Sequence, residues 1–82
     1  MRAKTLNIDG NKRECVLVCG GPSFKVYSSP GINGWIIVIK GKRPAVTNDE
    51  RVSRYVTLRY QPLNQQEDIK RRFNEEIVKG IV

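Results

Sequence analysis

Turn-forming residues divide the first sixty residues of this 82-residue chain into short segments. Asp9-Gly10, Gly20-Gly21-Pro22, Asn33-Gly34 and Gly41 all belong to the types that supply a positive or a fixed φ in tight turns. The segments between them are short, and they are either apolar or alternate between apolar and polar residues. This pattern predicts a series of β-strands joined by tight turns.

Six of these segments are candidates for strands. Leu6 and Ile8 alternate with polar residues before Asp9-Gly10, a favoured hairpin turn, so we expect the first two strands to pair. Residues 15–19, within the second segment, and residues 35–39 are apolar on both faces, as is typical of central strands that are covered on two sides. The candidate strands are 5–8, 12–19, 24–28, 35–39, 45–47 and 51–60.

The last quarter of the chain has a helical pattern. Asn64 and Glu67 have the spacing of a capping box, and Ile69, Phe73 and Ile77 recur every four residues. Opposite charges have i,i+4 spacing in Glu67/Arg71, Asp68/Arg72 and Glu75/Lys79, and Gly80 can end the helix. We therefore predict an amphipathic helix over 63–80.

These elements together predict one α+β domain over residues 1–82. Residues 1–60 would form a small twisted antiparallel sheet of five or six strands, curled towards a small barrel. The C-terminal α-helix would pack on one face or one open end of that sheet. If its apolar stripe were left uncovered, it would favour a homodimer.

The chain gives no sign of a membrane span. Its longest apolar run, 35–39, has five residues, whereas a spanning helix needs roughly twenty. The first residues contain charges without the apolar stretch of a secretory signal. We therefore expect a cytoplasmic protein.

The residue types exclude several kinds of chemistry. The chain has no histidine, so the usual general base, zinc ligand and pH switch are missing. In a strand, the α-carbons of Cys15 and Cys19 would be ~13 Å apart, beyond the ~7 Å limit for a disulfide. We expect buried core thiols in a reducing compartment, no metal, no cofactor and no enzymatic activity.

The charge is unevenly distributed along the chain. The formal net charge is +7, with eleven basic and four acidic residues in 1–60 and four of each in 61–82. An excess confined to one structural part suggests a basic face for a negative partner. The alternative is that the charge serves solubility alone.

The candidate binding residues form two groups. Three cations at a strand exit could meet phosphates from one loop, and the long strand 51–60 would add three arginines and one aromatic ring. Alternatively, Tyr55 packs under the helix and the arginines are solvated. The candidate residues are Lys40, Lys42, Arg43, Arg51, Arg54, Tyr55 and Arg59.

The segment Gly41–Val46 resembles the G-x-R-P-A-V segment of the MazF/PemK family of toxin endoribonucleases, which are small barrels with helices. The resemblance covers six residues and implies a role for Arg43 in RNA cleavage. The family places this segment near its amino terminus and has more chain after it. A histidine-free ribonuclease is therefore the third hypothesis for function.

The leading hypothesis is a small basic module that binds DNA or RNA mainly through phosphate contacts, with modest sequence specificity. The second is a small protein-binding regulator, an inhibitor or accessory subunit, that docks its basic face on an acidic protein surface. Composition does not separate these two.

Overall fold

The computed structural model describes residues 3–79, and the chain falls into two compact units. We call residues 1–48 the sheet unit and residues 49–82 the helical unit. The chain contains both strands and helices, so the predicted α+β class is confirmed.

The sheet unit contains five antiparallel strands that are neighbours in chain order. Five of the six predicted strands are therefore present, and three have the predicted bounds. The strands are β1 (Ala3–Ile8), β2 (Asn11–Gly20), β3 (Phe24–Ser28), β4 (Trp35–Ile39) and β5 (Ala45–Thr47).

The predicted first hairpin is confirmed. Ile8 pairs with Asn11, and the two residues between them have positive φ, 51° at Asp9 and 83° at Gly10. Positive φ at both central positions is the geometry of a type I′ turn, whose twist matches that of the flanking strands.

The sheet curls into a half-barrel. β1 is one edge strand and β5 is the other, yet the β1–β2 turn and the β4–β5 loop line the same surface depression of about 530 Å³. Asp9 and Gly10 lie on one side of this depression, and Arg43 and Pro44 lie on the other. The predicted curvature towards a barrel is thus present.

The core of the sheet unit lies on the sheet face that we call the core face. Its buried cluster consists of Leu6, Ile8, Cys15, Tyr27 and Ile36. Phe24, Val26 and Ile37 occupy the opposite face and are also buried. β3 and β4 are therefore apolar and buried on both faces, as the sequence of 35–39 predicts. The other segment with this prediction, 15–19, is only partly covered, because Val18 is exposed.

A bulge in β2 changes the direction of its side chains. Leu17 pairs with Tyr27, but Cys19 pairs with Val26, so Val18 is an extra residue between them. Paired residues lie on the same face of an antiparallel sheet, and neighbours in a strand lie on opposite faces. Cys19 therefore lies on the face opposite to Leu17 and Cys15.

The prediction of a strand over 51–60 is wrong, because this segment is helical. Helix α1 spans Glu50–Val56 and is followed by a 3-10 turn at Leu58–Tyr60. Asp49 caps α1: its side chain accepts a hydrogen bond of 2.9 Å from the backbone N–H of Arg51. A capped first turn satisfies amide groups that have no partner within the helix.

The predicted amphipathic helix is present, but it begins differently. Helix α2 spans Leu63–Arg72 and continues as a π-helical segment, Phe73–Val78. Its N-cap is Pro62 and no side chain caps it, so Asn64 lies in the first turn and the predicted capping box is wrong. The predicted end at Gly80 lies outside the described residues.

The apolar stripe of this helix is largely buried. Phe73 and Ile77 are buried and Ile69 is half-buried. The Tyr55 ring stacks on the Phe73 ring at 4.2 Å between centroids and 17° between planes, which ties α1 to the π-helical segment. The uncovered stripe that would favour a homodimer is therefore not observed at Phe73 and Ile77.

Across residues 3–79, the structure has no helix that is long and apolar enough to cross a membrane.

Candidate functional site

The two units differ in how their charges are compensated. Residues 1–48 contain eight basic and two acidic residues, whereas residues 49–82 contain seven and six. All the ion pairs among residues 3–79 join residues between Asp49 and Glu76. The lysines and arginines of residues 3–48 therefore have no carboxylate partner within that described range.

The β4–β5 loop presents three of the predicted residues together. The N–H of Lys42 donates to the carbonyl of Ile39 at 2.8 Å, and Gly41 has a φ of 81°, so this is a tight turn with glycine at its third position. Lys40, Lys42 and Arg43 surround this glycine and are exposed. The turn therefore holds three cations next to one another in water.

A second basic feature is a groove on the sheet unit, with a volume of about 260 Å³. Lys4, Lys25 and Lys40 line it and are exposed. Lys25 pairs with Val38 in the β3–β4 register, and Lys4 pairs with Cys15 in the β1–β2 register. Two strands and the turn after β4 thus bring three lysines to the same end of the core face.

The groove has apolar walls beneath its lysines. Leu6, Tyr27 and Val38 line it from the core face, and Phe24 lines it near the β2–β3 turn. The N–H of Gly21 donates to the Phe24 carbonyl at 2.9 Å and closes this turn. The groove therefore combines an apolar floor with a positively charged rim.

The two predicted arginines of α1 have carboxylate partners. Arg51 contacts Asp49 and Glu76, each at 2.7 Å, and Arg54 contacts Glu50 at 2.7 Å. Hydrogen bonds from the Arg51 side chain and backbone lower the pKa of Asp49 to about 2, so this carboxylate is ionised at neutral pH. Both guanidinium groups are therefore engaged within the helical unit.

The other two predicted residues do not share a strand face, because that strand does not exist. Tyr55 is half-buried and stacks on Phe73, as in the alternative that places it under the helix. Arg59 is exposed, and its guanidinium carbon lies 5.0 Å from the centroid of the Tyr60 ring. Tyr60 is 75% exposed.

The helical unit also contains a cleft of about 510 Å³. Arg51, Arg54 and Arg72 line it, but Arg72 contacts Asp68 at 3.2 Å and the other two are paired as described above. An anion entering this cleft would have to displace carboxylates that are already in place. The cleft is thus a weaker anion site than the exposed lysines of the sheet unit.

The cysteines do not form a reactive pair. Both thiols are free; Cys15 is buried, while Cys19 is half-buried. Partial burial raises the pKa of the Cys19 thiol above its ordinary value, which disfavours the thiolate. Among residues 3–79, no group of three Cys, Asp or Glu side chains is placed to hold a metal ion.

Sequence reasoning identified the β4–β5 loop but missed the groove. Lys4 and Lys25 are isolated cations in sequence, each flanked by uncharged residues. These two lysines come close to Lys40 through the pairing register of the sheet. The sequence predicts that register only for the first hairpin, β1 and β2.

Comparisons of the chain with protein-family models, with curated proteins and with solved structures found no match.

Proposed function

We propose that this protein binds nucleic acid through the sheet unit, mainly by contacts to phosphates. The observation that carries this proposal is the uncompensated charge of residues 3–48: their lysines and arginines have no carboxylate partner within the described chain. Free cations gain more from a polyanion than paired cations do, because no existing ion pair must be broken first.

The chemistry of such binding is the release of counterions. A nucleic acid carries condensed cations along its phosphates, and each protein cation that neutralises a phosphate releases them. Lys40, Lys42 and Arg43 are suited to this role because one tight turn presents them together in solvent. Arg59 is also exposed, but it belongs to the helical unit and is not part of this loop.

Three of the predicted binding residues contribute less to this proposal. Arg51 and Arg54 neutralise carboxylates of their own unit, and Tyr55 stacks on Phe73. The proposal therefore rests on the sheet unit and not on the face expected for 51–60.

Salt-dependent binding to a fluorescent oligonucleotide tests the proposal. The variant Lys42→Gln/Arg43→Gln is compared with Lys70→Gln/Lys79→Gln, which loses the same charge from the helical unit. In a plot of log affinity against log salt for duplex DNA, we expect the slope to become shallower by about 0.9 for each phosphate that the protein no longer neutralises.

The Lys42→Gln/Arg43→Gln variant should neutralise about two phosphates fewer, one for each cation removed, so its slope should become shallower. The control variant should keep the wild-type slope. Equal changes in both variants, or a wild-type affinity insensitive to salt, would overturn the proposal.

One observation favours the second candidate, a protein-binding regulator. In the helical unit, Tyr60 and Leu63 are 75% and 85% exposed, and they are three residues apart in the chain. Exposed large apolar side chains are enriched where proteins contact one another. If this candidate is correct, a partner captured from nuclease-treated lysate is lost with Tyr60→Ser/Leu63→Ser. A partner that both this variant and the wild type retain would contradict it.

A further inference from the structure

From the groove on the sheet unit, we infer that the protein prefers single-stranded nucleic acid and places one unpaired base on the apolar floor between Lys4, Lys25 and Lys40. This inference rests on the proposed function and adds to it a substrate class and a place for the base.

The first step is the chemistry of the groove. Its floor contains parts of Leu6, Tyr27 and Val38, and its rim contains three exposed ammonium groups that have no carboxylate partner among residues 3–79. A nucleotide has one part that suits each of these features. Its flat base has apolar faces that can lie on the floor, and its phosphate, one sugar away, can meet the ammonium groups. An acidic peptide supplies the charge but has no flat group regularly beside each carboxylate.

The second step is size. A volume of about 260 Å³ is below the ~300–1,000 Å³ typical of pockets that enclose a drug-sized ligand. The groove therefore accepts a small group, such as one base, and leaves the rest of the strand outside. The lysine stems can line the groove while their charged ends reach towards the backbone.

The third step separates single strands from duplexes. In a duplex the bases are stacked, so their faces cannot reach a floor that lies below a rim of lysines. In a single strand the bases can turn outward and pack against protein surfaces. The groove should therefore add affinity for single strands alone, while the β4–β5 loop contacts the phosphates of either form.

The test compares three labelled ligands of equal length on the wild-type protein: an oligothymidylate, an abasic oligonucleotide with the same phosphates, and a DNA duplex. We expect the oligothymidylate to bind about fivefold or more tightly than the abasic strand, since packing of one base is worth at least that factor. We also expect the amide resonances of Ser23 and Val38 to shift with oligothymidylate and not with the abasic strand.

Two variants show whether the groove lysines are responsible for the binding of oligothymidylate. Lys4→Gln/Lys25→Gln should weaken oligothymidylate binding and reduce its salt slope by about 1.4, because each neutralised phosphate contributes about 0.7 in single strands. The charge-matched control Lys70→Gln/Lys79→Gln should retain both values. Thermal unfolding of each variant shows whether it remains folded.

The outcomes separate this inference from the proposed function. If none of the three ligands binds, the proposed function itself is wrong. If the abasic strand or the duplex binds as tightly as oligothymidylate, phosphate binding stands and the groove inference is wrong. A polyglutamate peptide that binds as tightly as oligothymidylate and shifts the same resonances would also overturn the inference.

Discussion

At the scale of single residues, Asp49 has two roles at the start of the helical unit. Its carboxylate caps α1 by accepting from the Arg51 N–H, and it also forms a 2.7 Å ion pair with the Arg51 guanidinium. These hydrogen bonds lower the pKa of the Asp49 carboxyl group to about 2. The residue therefore links the stability of the helical unit to acid pH.

Replacing Asp49 should separate the cap from the charge. Asp49→Ala should lower the free energy of unfolding by about 1 kcal/mol at neutral pH, whereas Asp49→Asn keeps a good capping residue and should cost less. The folded pKa lies below the unfolded value, so the charge stabilises the fold above about pH 4 and loses this effect as the pH falls towards 2. Urea unfolding followed by circular dichroism at neutral and acid pH measures both effects.

In both Asp49 variants, the loss of stability on acidification should be smaller than in the wild type. An Asp49→Asn protein with the full acid dependence of the wild type would contradict the assignment of this dependence to Asp49.

The two cysteines should react at different rates. Cys15 is fully buried in the core of the sheet unit, whereas Cys19 is half-buried and its pKa is raised. Because the thiolate is the reacting form, modification of Cys19 by a disulfide reagent should be slow at neutral pH and faster in alkali, while Cys15 reacts only on unfolding. Mass spectrometry of the labelled peptides distinguishes them, and Cys19→Ser is the control that should abolish native labelling. Rapid native labelling of Cys15 would contradict its burial.

At the scale of elements, the β4–β5 pair depends on a close approach at Gly34. This glycine has a φ of 128°, and a Cβ placed there would lie 2.6 Å from the carbonyl oxygen of Thr47. A side chain at this position must therefore push the end of β5 away from the residues before β4.

We expect Gly34→Ala to destabilise the protein more than Gly10→Ala does. Gly10 also has a positive φ, but a Cβ there meets no atom within 4 Å, so its replacement costs only backbone strain of about 1–2 kcal/mol. Thermal unfolding of the two variants compares strain alone with strain plus a backbone clash. Equal melting temperatures would show that β5 moves aside without cost.

Local patterns in the sequence predict most elements of the sheet unit but not the start of the helical unit. The turns after β1 and β4 have glycines at positions that require them, so the strands between turns can be recognised. Between 51 and 60, Val52 and Val56 are spaced by four residues, which agrees both with alternation in a strand and with one face of a helix. Arg54, which interrupts the apolar side of the supposed strand, pairs with Glu50 one helical turn earlier. That pair, together with Asp49 as cap, is the signal that favours the helix.

At the scale of the whole molecule, the candidate site could be predicted only in part. Lys40, Lys42 and Arg43 are adjacent in sequence, so their clustering needs no knowledge of the fold. Lys4, Lys25 and Lys40 come from three regions and meet only through the strand pairing. The partners of Arg51 show the same limit, because Glu76 is 25 residues away.

The absence of histidine from the whole chain predicts how binding depends on pH. No side chain has an ordinary pKa between about 5 and 8, and phosphate diesters do not titrate there. The affinity for an oligonucleotide should therefore change less than about twofold between pH 5.5 and pH 7 at constant salt. Fluorescence anisotropy at matched ionic strength measures it, and a strong rise on acidification would contradict binding by lysine and arginine alone.

Val18 is the one residue of the bulge without a partner in β3, because Leu17 pairs with Tyr27 and Cys19 with the adjacent Val26. Deleting Val18 would place Cys19 directly after Leu17 and restore simple alternation, with Cys19 still opposite Val26 and on the side of the sheet away from Cys15. A replacement such as Val18→Thr also leaves every later orientation unchanged. The strand should therefore tolerate both exchange and loss of the residue at position 18.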